Sequence, residues 1–269
     1  MRIDVTIATK NNEETIEQCV RNIKKYIPYN RIILIDDSTD DTAKIAKRLG
    51  AEVIHFSAKL GPTRVKQAEV SDTEWIASID SDVFVYPNWW KVMSGYIADD
   101  VGIIRSFMEG SIKKVIPSYD AFMKWWTEKT FLRGKITTTM GNNLVRRNIL
   151  LDCGTKLANI HAGEDTIIGK HVIDMGYKCA VSKVITALHY HKDPISHTKM
   201  AFYRGGESYV ISKGKLAGLI NIFVSLIGIS KNWIEYSFYS KTVDLELCRF
   251  LLSLFIEMIK GGISKIKEM

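Results

Sequence analysis

The residues best able to do chemistry in this chain are two aspartates two residues apart, in Asp80-Ser81-Asp82. They follow an apolar run, Ile76 to Ile79, that reads as a buried strand, so both carboxylates are expected on one side of its end. Left alone they repel. A hard divalent cation, Mg²⁺ or Mn²⁺, relieves that repulsion, because such ions take oxygen ligands and accept substrate phosphates as further ligands. A solvated turn is the competing reading of the same triplet. A second acidic pair, Asp36-Asp37, ends the run Ile32 to Ile35. A carboxylate there can accept hydrogen bonds from a nucleobase N–H or a ribose hydroxyl. Equally, the segment can open a helix capped by Ser38, Thr39 or Asp40. Glu164-Asp165 precedes Thr166-Ile167-Ile168, where acids suit the first turn of a helix. His189 and His191 alternate on an expected strand, His189 reading as structural.

Elements of regular period must position these groups. Ile3 to Ala8 is a β-branched run. Glu13 to Tyr26 has helical spacing, with Ile16, Val20 and Ile23 on one face. Arg31 to Ile35 reads as a strand buried on both faces, Asp41 to Leu49 as a helix and Glu52 to Phe56 as a strand. Gly61 to Val70 reads as a helix and Trp75 to Ile79 as a fourth strand. This alternation predicts an α/β fold, a parallel sheet with helices on both faces and ligands at the carboxyl ends of the strands. From about Asp99 to Ser182 the pattern is less regular, and mixed strands, loops and short helices are expected.

The 269 residues suit one catalytic domain with an appendage, and 46% hydrophobic content supports a full core rather than disorder. The net charge of +7 favours acidic partners such as nucleotide phosphates or an anionic membrane face. No helix-turn-helix, zinc or RNA-platform pattern appears, so no nucleic acid is expected as partner. Cys19, Cys153, Cys179 and Cys248 lack metal-ligand spacing and read as reduced thiols of a cytosolic protein. The first residues run into a strand without the pattern of a signal peptide.

Taken in order, Val5 to Asn11, Ile35-Asp36-Asp37-Ser38-Thr39-Asp40-Asp41-Thr42, Gly61 to Gln67 with Arg64, and Ile79-Asp80-Ser81-Asp82 resemble the nucleotide-binding half of a family 2 glycosyltransferase of the GT-A fold. Gly141-Asn142-Asn143-Leu144-Val145-Arg146-Arg147 is similar to that family's acceptor-side segment, Gly163-Glu164-Asp165 to its Glu-Asp motif, and Tyr190-His191 to its late histidine. The resemblance covers roughly residues 3 to 210. It implies a Rossmann-like, mixed but mainly parallel sheet flanked by helices. It further implies that Thr9, Asp36 or Asp37, and Arg64 hold the nucleotide, with Arg64 near the diphosphate. By the same resemblance Asp82, helped by Asp80 and with His191 as a further ligand, holds Mn²⁺ or Mg²⁺. Asp165 is then the general base and Glu164 its neighbour in acceptor binding. Two features depart from the pattern. Ala8-Thr9-Lys10-Asn11 stands where the family usually has Pro-Thr-Tyr-Asn, removing an aromatic that stacks on the base, and Ser38 follows the acidic pair without an intervening glycine.

The implied reaction is inverting transfer from a UDP- or GDP-sugar to a hydroxyl acceptor, a lipid-linked or glycan precursor. Cation and Arg64 offset the charge growing on the leaving diphosphate, while one carboxylate deprotonates the acceptor. A polyprenyl-phosphate acceptor, already ionised, would need no base. A non-catalytic binding protein on the same fold is the reading from another class. A nucleotidyltransferase would need a glycine-rich loop after the first strand, and Thr9 to Glu14 contains none. Trp89-Trp90 and Trp125-Trp126 can stack on sugars or fill core, and Arg204-Gly205 can reach the donor phosphates from a loop.

Three segments are expected: a nucleotide-sugar-binding half over 1–98, an acceptor-binding half over 99–212, and a helical extension over 213–269. In the extension, Leu216 to Ile229 and Leu247 to Ile259 have amphipathic spacing and read as too short to span a bilayer, which takes about 20 apolar residues. With eight Lys/Arg against five Asp/Glu, the extension is expected to lie on the cytoplasmic membrane face, placing the enzyme in the cytoplasm as a peripheral protein. Packing on the catalytic domain, or a homo-oligomer interface, is the competing reading.

Overall fold

The computed structural model describes residues 1–132, 140–160 and 163–269. The chain divides into two compact units, Met1–Gly110 with Gly134–Tyr190, and Ser111–Arg133 with His191–Met269.

The first unit opens β1 (Ile3–Thr9), α1 (Ile16–Tyr26), β2 (Tyr29–Asp36), α2 (Thr42–Arg48), β3 (Glu52–His55), α3 (Leu60–Glu69) and β4 (Trp75–Asp80). It continues with β5 (Val83–Val85), α4 (Trp89–Ser94) and β6 (Val101–Gly110). Its second segment carries β7 (Asn142–Arg146), α6 (Arg147–Asp152), α7 (Gly154–Leu157), α8 (Glu164–Asp174) and β8 (Lys178–His189). The strands form one eight-stranded sheet in the order β3-β2-β1-β4-β7-β6-β8-β5. The pairs β1–β2, β1–β4, β2–β3 and β6–β8 are parallel, while β7 runs against both neighbours and β5 against β8. This is the expected mixed, mainly parallel α/β sheet.

Strand parity decides which side chains meet which helices. Ala77 and Ile79 of β4 share a core with Ile16, Cys19, Val20 and Ile23 of α1. Ile76 points the other way, into a core with Ala68 of α3, Ile149 and Leu150 of α6, and Ile168 and Val172 of α8. Ser78 and Asp80 therefore lie on the face covered by α3 and α8. The first helix begins at Ile16, three residues later than its apolar spacing suggests, because Asn11 adopts a left-handed conformation (φ 54°) and knots the loop after β1.

The second unit comprises a 3₁₀ turn (Ser111–Lys114), α5 (Pro117–Leu132), α9 (Pro194–Lys213), α10 (Lys215–Ser240) and α11 (Leu245–Glu268). Three readings of this region are corrected. The run Leu216 to Ile229 is part of a 26-residue helix, long and apolar enough by length and composition to cross a membrane. The apolar face at Leu247 to Ile259 is not free: Leu247, Phe250, Leu251, Leu254, Phe255 and Met258 are buried inside the unit. Arg204-Gly205 lies within α9, not in a loop, because the Pro194 start capped by Asp193 and an uninterrupted spacing to Lys213 carry the helix through.

Candidate active site

The site is built where β1, β2 and β4 end. The loops after β1 and β2 are laced together: the Asp37 N–H donates to the Thr9 carbonyl (3.1 Å), the Asn11 N–H to Ser38 Oγ (2.9 Å), and the Thr39 N–H to Asn11 Oδ1 (2.8 Å). Thr9 is buried, with its hydroxyl 3.4 Å from Asn12 Nδ2. The two acids of β2 then separate. Asp36 is buried, and neither carboxylate oxygen accepts a hydrogen bond among the described residues; His55 Nδ1 stands 3.2 Å from Oδ2. Asp37 turns outward and takes Lys10 Nζ at 2.7 Å, and that bond, with another from Ser57, holds its carboxyl below the usual range.

Asp80 and Asp82 take different partners. Asp80 is the last residue of β4, but Asp82 falls in the turn before β5, where strand parity no longer applies. Asp80 Oδ1 accepts from Arg64 Nη2 at 3.1 Å. Arg64, on α3, is buried; it also reaches Ser78 Oγ (3.3 Å), and its Nε lies 3.5 Å from Glu164 Oε1. Burial pulls its pKa down, but the charges of Asp80 and Glu164 outweigh that and raise it. Gly141, just before β7, lies at φ +99°, and a Cβ there would collide with the Asp80 carboxylate. The Gly141 carbonyl accepts from the Asp80 N–H at 2.9 Å, so this glycine forms the wall against which the aspartate rests.

Asp82 faces His189, the last residue of β8, with Nε2 3.4 Å from Oδ1. Burial lowers the imidazole pKa, but Asp82 and then Asp80 outweigh it and hold it above its ordinary value. His189, read from the sequence as structural, is thus the histidine the first unit brings to the aspartates. It closes β8, aligned with Val83 in the β5–β8 register. His191 lies beyond the strand, which ends at His189 because the chain leaves the sheet there. Its backbone N–H donates to Ser111 Oγ (2.9 Å) and its ring stacks on His197 (3.4 Å between centroids), both within the second unit.

Glu164 and Asp165 open α8 after Gly163, a left-handed cap at φ 80°. Burial raises the pKa of Glu164 against the pull of Arg64. Burial also raises that of Asp165, opposed by the Thr166 N–H and by Arg64 and Arg105. Arg105, buried on β6, was missed from the sequence, where nothing in its surroundings marks it. Trp89 is core, fully buried and donating to Asn142 Oδ1 (2.6 Å), while half-buried Trp125 packs among Phe122, Tyr236 and Tyr239. All four cysteines are free.

Chemically, the sheet end offers carboxylate oxygens and an imidazole nitrogen to a hard or borderline cation. Beside them lie a buried guanidinium and, across it, a helix start with two acids above their ordinary pKa. A family model described as glycosyl transferase family 2 matches residues 4–155. A pre-mycofactocin glycosyltransferase of Mycobacterium tuberculosis is 22% identical over 222 residues, covering 76% of this chain and 46% of that protein. The chain thus spans about half the length of that relative. An uncharacterized glycosyltransferase of Rickettsia typhi is 37% identical over 84 residues, 30% of this chain and 28% of that one. Among solved structures, glucosyl-3-phosphoglycerate synthase of M. tuberculosis, in complex with Mn²⁺, uridine diphosphate and phosphoglyceric acid, superposes with a TM-score of 0.53 at 19% identity, covering 74% of both chains. That likeness is one of fold.

Proposed function

The chain belongs to glycosyl transferase family 2, and from that premise we propose that it is a glycosyltransferase that moves a hexose from a UDP- or GDP-sugar to a hydroxyl acceptor, with inversion and with a bound Mn²⁺ or Mg²⁺. One observation carries the reading: Arg64 touches both Asp80 and Glu164, so the end of β4 and the acids opening α8 belong to a single site. A reaction that must stabilise a leaving diphosphate and also remove a proton from an acceptor needs those two poles within one cavity.

The donor set fits the cation. Asp82 and His189 supply one oxygen and one nitrogen 3.4 Å apart, Asp80 stands beside them, and His191, two residues after His189, is proposed as a further ligand. When bound, the cation neutralises charge on the donor diphosphate. The chain's own residues do the rest. Asp36, whose buried oxygens accept no hydrogen bond among the described residues, and Asp37 with Thr9 receive the base and ribose. Arg64 holds Asp80 in place, stays charged in spite of burial, and adds positive potential beside the diphosphate. Asp165 accepts the acceptor's proton, its raised pKa making it a better base than an ordinary aspartate. Glu164, tethered to Arg64, orients the acceptor. The acceptor is proposed to be a lipid-linked or glycan precursor.

The test is release of UDP or GDP from a panel of nucleotide sugars, with and without Mn²⁺, and ¹H NMR of the product's anomeric configuration. Metal-stimulated turnover and an inverted anomeric centre are expected. Full activity in EDTA, or a retained configuration, overturns the corresponding part of the reading.

A further inference from the structure

We infer that the outward face of α10 docks in the plane of an anionic lipid bilayer, with α11 supplying the cations that meet the headgroups. Along α10, Leu216, Ile220, Phe223, Ile227, Ile234 and Phe238 recur at spacings of three, four and seven and form one narrow stripe. All are exposed: Leu216 by 74%, Ile227 by 69% and Phe238 by 82%. Lys215 and Lys231 bracket the densest part of the stripe, and Lys241 follows its end. A soluble helix of this length turns such a stripe inward.

The inner seam of the unit has the opposite character. Gly206 of α9 presses on the backbone at Met258, Gly261 on that at Tyr203, Gly218 on Val210 and Gly262 on Ile222. Small residues at helix contacts with bulky apolar residues outside is the pattern of helices in contact with lipid, where apolar surface need not be hidden from solvent.

Charge selects the occupant. On α11, exposed Leu252, Ile256 and Ile263 are interleaved with exposed Arg249, Lys260 and Lys267. Lys260 is paired to Glu257 (2.8 Å), but two copies meeting through such faces would bring Arg249 and Lys267 against their like, whereas anionic headgroups attract them and the lysine stems can lie along the acyl boundary. At the end of α10, a cavity of about 450 Å³ lined by Trp233, Ile234, Phe238 and Val243, with Lys241 at its edge, suits an acyl chain beneath a phosphate. The helix lies in the plane rather than across the bilayer, because crossing would carry Lys231 and the Lys129–Glu235 ion pair through hydrocarbon.

The experiment is flotation of the full chain with phosphatidylcholine vesicles, with and without phosphatidylglycerol. It compares wild type with Leu216→Ser/Ile220→Ser/Ile227→Ser, whose sites point outward so that the fold and its melting temperature should be kept. Binding to the anionic vesicles, weakened by salt, released by alkaline carbonate, and about tenfold or more weaker in the triple variant, is expected. No flotation of the wild type, or equal flotation of the variant, overturns the inference. So does resistance to carbonate, which would mean a spanning helix. A dimer in sedimentation that the triple variant dissolves would assign the face to a second copy instead.

Discussion

In the first unit the large apolar side chains of β1, β2 and β4, from Ile3 to Ile79, are shut between helices, and the polar groups gather where strands end. In the second, a stripe from Leu216 to Phe238 faces outward while glycines hold the inner seam. The first unit therefore completes its own core and devotes buried polar groups, such as Arg64 and Glu164, to a site. Burying those charges is costly unless they are paired, and their arrangement is better explained by chemistry than by stability. The second unit leaves apolar surface uncovered, which needs a partner that water does not supply. Each half of this contrast can be broken separately.

The largest effect should come from the turn beyond β4. Asp82→Ala removes the carboxylate facing His189 at a partly exposed position, and transfer should fall below detection while melting temperature and sheet content hold. Preserved turnover would take Asp82 out of the site. Next in size is Asp165→Asn. Loss of a general base costs on the order of 10²–10⁴-fold in turnover, with donor affinity, measured by calorimetry, unchanged. Should a lipid phosphate prove to be the acceptor, this variant would lose much less, because an ionised acceptor needs no base.

How far these groups could be read in the sequence depended on the range of the interactions that place them. β1 through β4 and their helices were legible to within a few residues, since their period and length are local properties. Asp80, Asp82, Asp36 and Glu164-Asp165 could be singled out as candidates because acids closing apolar strands, or opening helices, are local patterns too. His189 and Arg105 were not: the meaning of each is set by a partner on a distant strand or helix, Asp82 for one and Asp165 for the other. The length of α10 was misjudged because Lys231 and Glu235 look like interruptions of an apolar run. The helix continues past them, with Glu235 paired to Lys129 inside the unit. The burial of α11's apolar face depends on α9, which packs against it through Gly206 and Gly261.

A third prediction probes the contrast through stability. Leu34→Ala in the first unit and Leu254→Ala in the second both empty fully buried positions. Each should cost about 2–5 kcal/mol in chemical denaturation, the range for such truncations. Ile227→Ser, on the outward stripe, should change stability by no more than about 0.5 kcal/mol, as surface substitutions usually do. A core-sized loss at Ile227 would mean that the stripe is covered in solution, and the contrast between the units would disappear.

The smallest expected effect is a pH-dependent gain in stability from the same Asp165→Asn variant. Burial raises the Asp165 pKa in the folded chain, and the Thr166 N–H, Arg64 and Arg105 offset it only in part. The folded state therefore holds that proton more tightly than the unfolded state does. Above the folded pKa the native chain carries a charge it would sooner neutralise, and the cost is present in full at neutral pH. As pH falls through the raised pKa the carboxyl protonates and the cost fades; below the ordinary aspartate range it is gone. Asparagine carries no charge at any pH, so the variant should melt higher than wild type at neutral pH and level with it in acid, while transferring sugar far more slowly. Thermal melts of both proteins across that range decide the matter. A variant that is less stable at neutral pH would mean that the Asp165 carboxylate is held by favourable contacts in the native state, and its value as a base would have to be sought elsewhere.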